Sequence, residues 1–114
     1  MGRLTTHVLD TAHGRSAAGV TIKLFSLEGG RHLVATAVTN ADGRTDAPLL
    51  DKGTWRPGRY ELEFHVGDYF AAREVERGDP PFLDEIVVRV ALGDGHYHVP
   101  LLVSPWSYST YRGS

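Results

Sequence analysis

Six histidines in 114 residues are the main chemical resource of this sequence. An imidazole with an ordinary pKa of about 6.5 is largely neutral at neutral pH and can accept a proton there. His7, His96 and His98 are the three whose positions could converge. In the segment Tyr97 to Val103 the apolar set is Tyr97, Val99, Leu101 and Val103, so His96 and His98 point the opposite way, off the core. His7 shares a face with Thr5 and Leu9, opposite Leu4, Thr6 and Val8, and this pattern leaves its direction open. Three imidazoles with an open position would also make a catalytic zinc site, but no carboxylate second shell or stronger metal spacing accompanies them. Arg44, after the Asp42-Gly43 turn, offers a planar, permanently charged array of donors. Each of these residues, taken alone, has an ordinary reading as a solvated or partnered surface group. The closing Tyr111-Arg112-Gly113-Ser114 reads by itself as a frayed tail.

Other chemistries find no residues. Cysteine is absent, which removes disulfides, thiolate metal sites and a cysteine nucleophile. There is no Gly-x-Ser-x-Gly elbow and no glycine-rich phosphate loop.

The elements that must hold these side chains are strands. Short alternating segments separated by Gly, Asp, Asn and Pro predict an all-β, two-sheet sandwich of about eight strands. Val20 to Phe25 and Tyr60 to Val66 carry the clearest alternation. Leu4 to Leu9, His32 to Thr39, Glu85 to Ala91 and Tyr97 to Val103 follow, with a last short strand near Ser107 to Tyr111 and another after Arg44. Asn40-Ala41-Asp42-Gly43 is a turn whose glycine can take positive φ, and Gly29-Gly30 and Gly93-Asp94-Gly95 read as hairpin connections. Asp68 to Arg77 lacks the alternation and contains Ala71-Ala72-Arg73-Glu74. With Asp68 as N-cap and Gly78 as stop, it predicts one short helix near residues 68–77. Pro80-Pro81 then predicts an extended entry into the next strand. Trp55, Trp106, Tyr60 and Phe64 are expected in the core or an interface.

Size and composition set the frame. A chain of 114 residues with 41% hydrophobic and 23% charged side chains predicts a single domain, residues 1–114, with a real core. Twelve Lys and Arg against fourteen Asp and Glu give a net charge of −2, and the basic residues are scattered, so nucleic acid is not an expected partner. No apolar run approaches the roughly eighteen residues of a membrane span, and the start shows no secretory pattern. A cytoplasmic location is expected, and the ending is not a Ser-Lys-Leu peroxisomal address.

Taken together, four stretches match a known pattern. They are Leu4-Thr5-Thr6-His7-Val8-Leu9-Asp10, then Asp42-Gly43-Arg44, then His96-Tyr97-His98-Val99-Pro100-Leu101-Leu102-Val103-Ser104-Pro105, and the closing Tyr108-Ser109-Thr110-Tyr111-Arg112-Gly113-Ser114. The sequence resembles the 5-hydroxyisourate hydrolases, also called transthyretin-related proteins, over essentially its whole length. The terminal Tyr-Arg-Gly-Ser is the most specific element, because it separates the enzymes from the hormone carrier transthyretin. It is therefore not read as a cloning remnant. One departure is Ser16 in Gly14-Arg15-Ser16-Ala17, where the family commonly has proline. It is read as a loop change that puts no active-site role in doubt.

The resemblance implies a transthyretin-like sandwich and a cyclic amide hydrolase that opens the ring of 5-hydroxyisourate in urate degradation. It implies His7, Arg44, His98 and Ser114 as catalytic residues, and Tyr111, Arg112 and Gly113 as further substrate-binding residues. It implies no metal and no cofactor. The expected assembly is a homotetramer, a dimer of dimers, with its sites in the channel between dimers. Two other readings compete: a transthyretin-like carrier without catalysis, and an immunoglobulin-like interaction domain, which lacks the Cys-Trp-Cys spacing of true members.

Overall fold

A computed structural model of the chain describes residues 2–113. The eight strands and one helix are β1 (Arg3–Asp10), β2 (Arg15–Ser16), β3 (Thr21–Ser26), β4 (His32–Val38), β5 (Gly58–His65), α1 (Val66–Ala72), β6 (Glu85–Leu92), β7 (His96–Val103) and β8 (Tyr108–Thr110). They form two four-stranded sheets, ordered β2-β1-β7-β8 and β4-β3-β5-β6. Alternation dictates this arrangement: Leu4 and Val8 of β1 and Leu101 and Val103 of β7 turn inward from one sheet, Ile22, Leu24, Leu62 and Phe64 from the other, and all are buried. Trp55 and Tyr60 join the same core, whereas Trp106 is half-exposed against Phe82. Among the described residues no helix is long and apolar enough to cross a membrane.

Several sequence expectations are corrected. The helix spans Val66–Ala72 rather than 68–77, because β5 runs straight into it. Asp68 therefore lies in its first turn, no side chain caps it, and His65 occupies the N-cap position. It ends well before Gly78: Arg73 is the C-cap and Glu74 turns the chain at φ 55°. Pro80 and Pro81 lie in a turn with a cis Asp79-Pro80 bond rather than in an extended entry, and Phe82 N–H donates to the Arg77 carbonyl. No strand follows Arg44: residues 44 and 50 make isolated bridges to His7 and Leu4 of β1. The two-residue β2 was not foreseen. Gly29-Gly30 joins the antiparallel pair β3 and β4, but Gly93-Asp94-Gly95 links β6 to β7 across the two sheets, so it closes no hairpin.

The helix is tied to β1 by a buried carboxylate. Asp10 Oδ2 accepts a hydrogen bond from the Tyr69 hydroxyl at 2.7 Å and meets His13 Nδ1 at 2.5 Å, while Oδ1 accepts from the His13 backbone N–H at 3.0 Å. Burial, the largest single influence, raises the Asp10 carboxyl, but these hydrogen bonds outweigh it and hold the group below the ordinary carboxylate range. Tyr69, buried beside that carboxylate, is pushed up to about 12.

A carboxyl depressed in the folded state adds stability above its unfolded pKa of about 3.9, and that stability is lost as pH falls through the lower folded value. Tyr69→Phe removes one donor, so the folded value rises and the contribution shrinks. The variant is expected to lose about 1.5 to 3 kcal/mol at pH 7 and to unfold in acid at a higher pH than the parent, as read by circular dichroism.

Candidate active site

The site is assembled on the outer face of β1 and β7. In β1 the residues Leu4, Thr6, Val8 and Asp10 are buried, which turns Thr5, His7 and Leu9 outward and settles the direction of His7. The two strands run parallel with Thr5 opposite His98 and His7 opposite Pro100, so both imidazoles rise from one face, His98 two positions along from His7. Thr5 Oγ1 meets His98 Nδ1 at 2.8 Å, which leaves Nε2 as the nitrogen of His98 free for other chemistry.

Arg44 reaches the same place from the edge of β1. The turn before it is closed by Gly43 N–H to the Asn40 carbonyl at 2.9 Å and by Asn40 N–H to the Arg44 carbonyl at 2.7 Å. The Gly43 carbonyl then accepts from Val8 N–H at 2.8 Å, and Arg44 bridges to His7. Glycine is required at 43: its φ is +74°, and a Cβ there would lie 2.5 Å from the Val8 carbonyl oxygen.

The C-terminal segment closes the other side. Gly113 N–H donates to the His98 carbonyl at 2.7 Å, and a Cβ on Gly113 would fall 2.7 Å from Cδ2 of His98. The main chain thus lies directly on the His98 ring. Arg112 turns away from the imidazoles, its guanidinium 4.0 Å above the Tyr97 ring and its Nη2 3.4 Å from the His96 carbonyl. Tyr111 is exposed and, with Arg112, lines a cavity of about 320 Å³ beside β6, Tyr97 and Val99. Ser114 lies outside the described residues.

Within one chain, then, His7, Arg44, His98 and Gly113 come together, while the side chains of Tyr111 and Arg112 lie elsewhere. His96 is exposed and contributes no third imidazole. Among the described residues, the one group of imidazole and carboxylate ligands within 4.8 Å of one another is Glu63, His65 and Glu85, on the other sheet. There the carboxylate of Glu63 is already engaged by Arg31 and His65.

Electrostatics prepare the pair for proton transfer. Burial first, and then the positive charge of Arg44, hold His7 below its ordinary range, against hydrogen bonding to the backbone of Asp42 and the Asp42 carboxylate, which favour the protonated form. His98 is lowered by burial, then by Arg44, then by His7. Both rings are therefore neutral bases at neutral pH, facing a permanent cation. Such a set can remove a proton from water and hold an oxyanion.

Two contacts were not read from the sequence. Thr5 could have been found once its register against His98 was known, since it lies two residues before His7 on the same face. The loop placement of Ser16 is corrected: it belongs to β2, and its Oγ lies 3.4 Å from His7 Nε2.

The pattern of the HIUase/Transthyretin family matches residues 4–113, which include every residue of this site but Ser114. The chain belongs to that family. Relatives of the HIUase/Transthyretin family include the 5-hydroxyisourate hydrolase of Deinococcus radiodurans, 60% identical over 97% of this chain and 95% of its own length. The solved structure of Klebsiella pneumoniae 5-hydroxyisourate hydrolase is 37% identical, with a TM-score of 0.85 and full coverage of both chains. A crystal structure of (S)-allantoin synthase matches with a TM-score of 0.94 at 46% identity. This chain covers 44% of that one, so the match is to part of a longer protein.

Proposed function

We propose that this protein hydrolyses 5-hydroxyisourate to 2-oxo-4-hydroxy-4-carboxy-5-ureidoimidazoline. The observation that carries the reading is the convergence of two neutral imidazoles and one arginine on the outer face of β1 and β7. The names of its relatives supply the substrate.

His7 and His98 together take a proton from water as its oxygen attacks the amide carbonyl of the six-membered ring. Arg44 receives the oxyanion. When the tetrahedral intermediate collapses, the carbon–nitrogen bond breaks and the imidazolium returns its proton to the departing nitrogen. The ring opens with a carboxylate on one side. Gly113 shapes the floor over His98, Ser114 supplies a hydroxyl that orients the substrate, and Arg112, held against Tyr97 and the His96 carbonyl, positions the tail. No metal enters this scheme.

The assembly in this reading is a homotetramer, a dimer of dimers, with the β2-β1-β7-β8 face lining a channel between dimers. That channel would enclose imidazoles which a single chain leaves half-open, and sedimentation should then give four times the mass of one chain. A carrier function would use the same channel but has no need of the imidazole–arginine set.

Running the reaction in H₂¹⁸O tests the chemistry: one heavy oxygen should enter the new carboxylate of the product. Product without the label would end the hydrolytic reading. Gly113→Ala should lower kcat by about tenfold or more, because the Cβ must push the main chain or His98 from place and small displacements are costly at a reacting centre. The melting temperature should change little, since the tail carries none of the core.

A further inference from the structure

Ser16, the last residue of β2, stands between β1 and the turn that carries Arg44. Its backbone is pinned there. Ser16 pairs with Leu9, and Ala17 N–H donates to the Val8 carbonyl at 2.9 Å. The Gly43 turn packs on it closely enough that a Cβ at 43 would lie 3.1 Å from the Ser16 Cβ. The side chain is half-buried and its Oγ lies 3.4 Å from Nε2 of His7. That distance is long for a hydrogen bond, but such contacts commonly tighten when substrate closes the site.

A hydroxyl suits this place in a way few groups would. It donates to an unprotonated Nε2 and, by rotating, accepts from a protonated one. It can therefore follow the ring through both states of a proton-transfer cycle. An apolar residue could do neither.

We infer that Ser16 is a positioning residue for His7, its hydroxyl holding Nε2 so that the imidazole keeps one orientation between Arg44 and His98. In this role Ser16 touches neither the substrate nor the attacking water; it acts through the ring. The inference extends the hydrolase reading and depends on it for its kinetic consequence alone.

Two variants and two measurements test it. Ser16→Ala should lower kcat about threefold to tenfold, as expected of one hydrogen bond, with KM changed by less than about twofold. Ser16→Thr keeps the hydroxyl on a strand-compatible residue and should restore kcat. In ¹⁵N-labelled protein the Nε2 resonance of His7 should move in Ser16→Ala and return in Ser16→Thr, with the His98 nitrogens unmoved. A general loss of structure would shift both histidines and would not be rescued. An unmoved His7 resonance in Ser16→Ala, or parental kcat in that variant, overturns the assignment. The spectrum reads the ring without substrate, so a parent protein that fails to turn over 5-hydroxyisourate defeats the hydrolase reading while Ser16 is still judged on its own contact.

Discussion

Replacing His98 with alanine is expected to lower kcat for 5-hydroxyisourate hydrolysis by about 10²-fold or more, the usual worth of a positioned general base. The ring is well placed for such a loss: its Nδ1 is held by Thr5 at 2.8 Å, the Gly113 main chain lies against it, and Nε2 remains for chemistry. Folding should survive, because the side chain stands on the outer face and the core of β7 is Val99, Leu101 and Val103. His7→Ala should act similarly. If the two rings share one proton transfer, the double variant should cost little more than either single one, since residues acting as a unit are not additive. Steady-state kinetics on purified, folded variants read this directly, and near-parental turnover in both single variants would require the mechanism to be dropped.

Arg44→Ala has two separable consequences. Loss of the charge that receives the oxyanion should lower kcat/KM by about 10²-fold or more. The pH profile should move as well. In the parent, burial and the Arg44 cation hold both imidazoles below their ordinary range, so the acid limb of the rate profile lies below pH of about 6.5. Removing the cation eliminates one of the influences that disfavour the imidazolium, of which there are two at His7 and three at His98. Both folded-state pKa values therefore rise, the bases are protonated at higher pH, and the acid limb shifts upward. Because Arg44 is exposed, the difference between parent and variant should narrow as salt is added. An acid limb that stays in place would detach Arg44 from the histidines.

Much of this molecule could be read from residue order, for identifiable reasons. Alternation located the longer strands because they turn one face to a shared core, as in Ile22, Leu24 and Phe64, whereas the three residues of β8 are all exposed. It could not find β2, which is two residues long and has no period to show, and it overextended the helix because Ala71-Ala72-Arg73-Glu74 is helix-compatible wherever the helix begins. Tertiary connection, rather than propensity, starts that helix at Val66, directly after β5. Glycines marked turns correctly at Gly43 but did not say which strands they join, so Gly93-Asp94-Gly95 looked like a hairpin and is a crossing between sheets.

The candidate site divides in the same way. His98 was placed off the core by its apolar neighbours, but His7 could not be oriented until Leu4, Thr6, Val8 and Asp10 were seen buried together. No spacing in the sequence brings Arg44 or Gly113 to the imidazoles, since those approaches depend on the parallel pairing of β1 with β7 and on single bridges at His7 and His98. The family resemblance supplied those residues as a set. Ser16 shows the opposite failure: a departure from the family pattern looked inert because its neighbour in space is nine residues away in sequence.

The most direct test of the hydrolase reading is the ultraviolet decay of 5-hydroxyisourate, made freshly from urate with urate oxidase and followed with and without this protein. The account predicts clear acceleration by the parent protein and its loss in Arg44→Ala; a well-folded parent that leaves the spontaneous decay unchanged would contradict it.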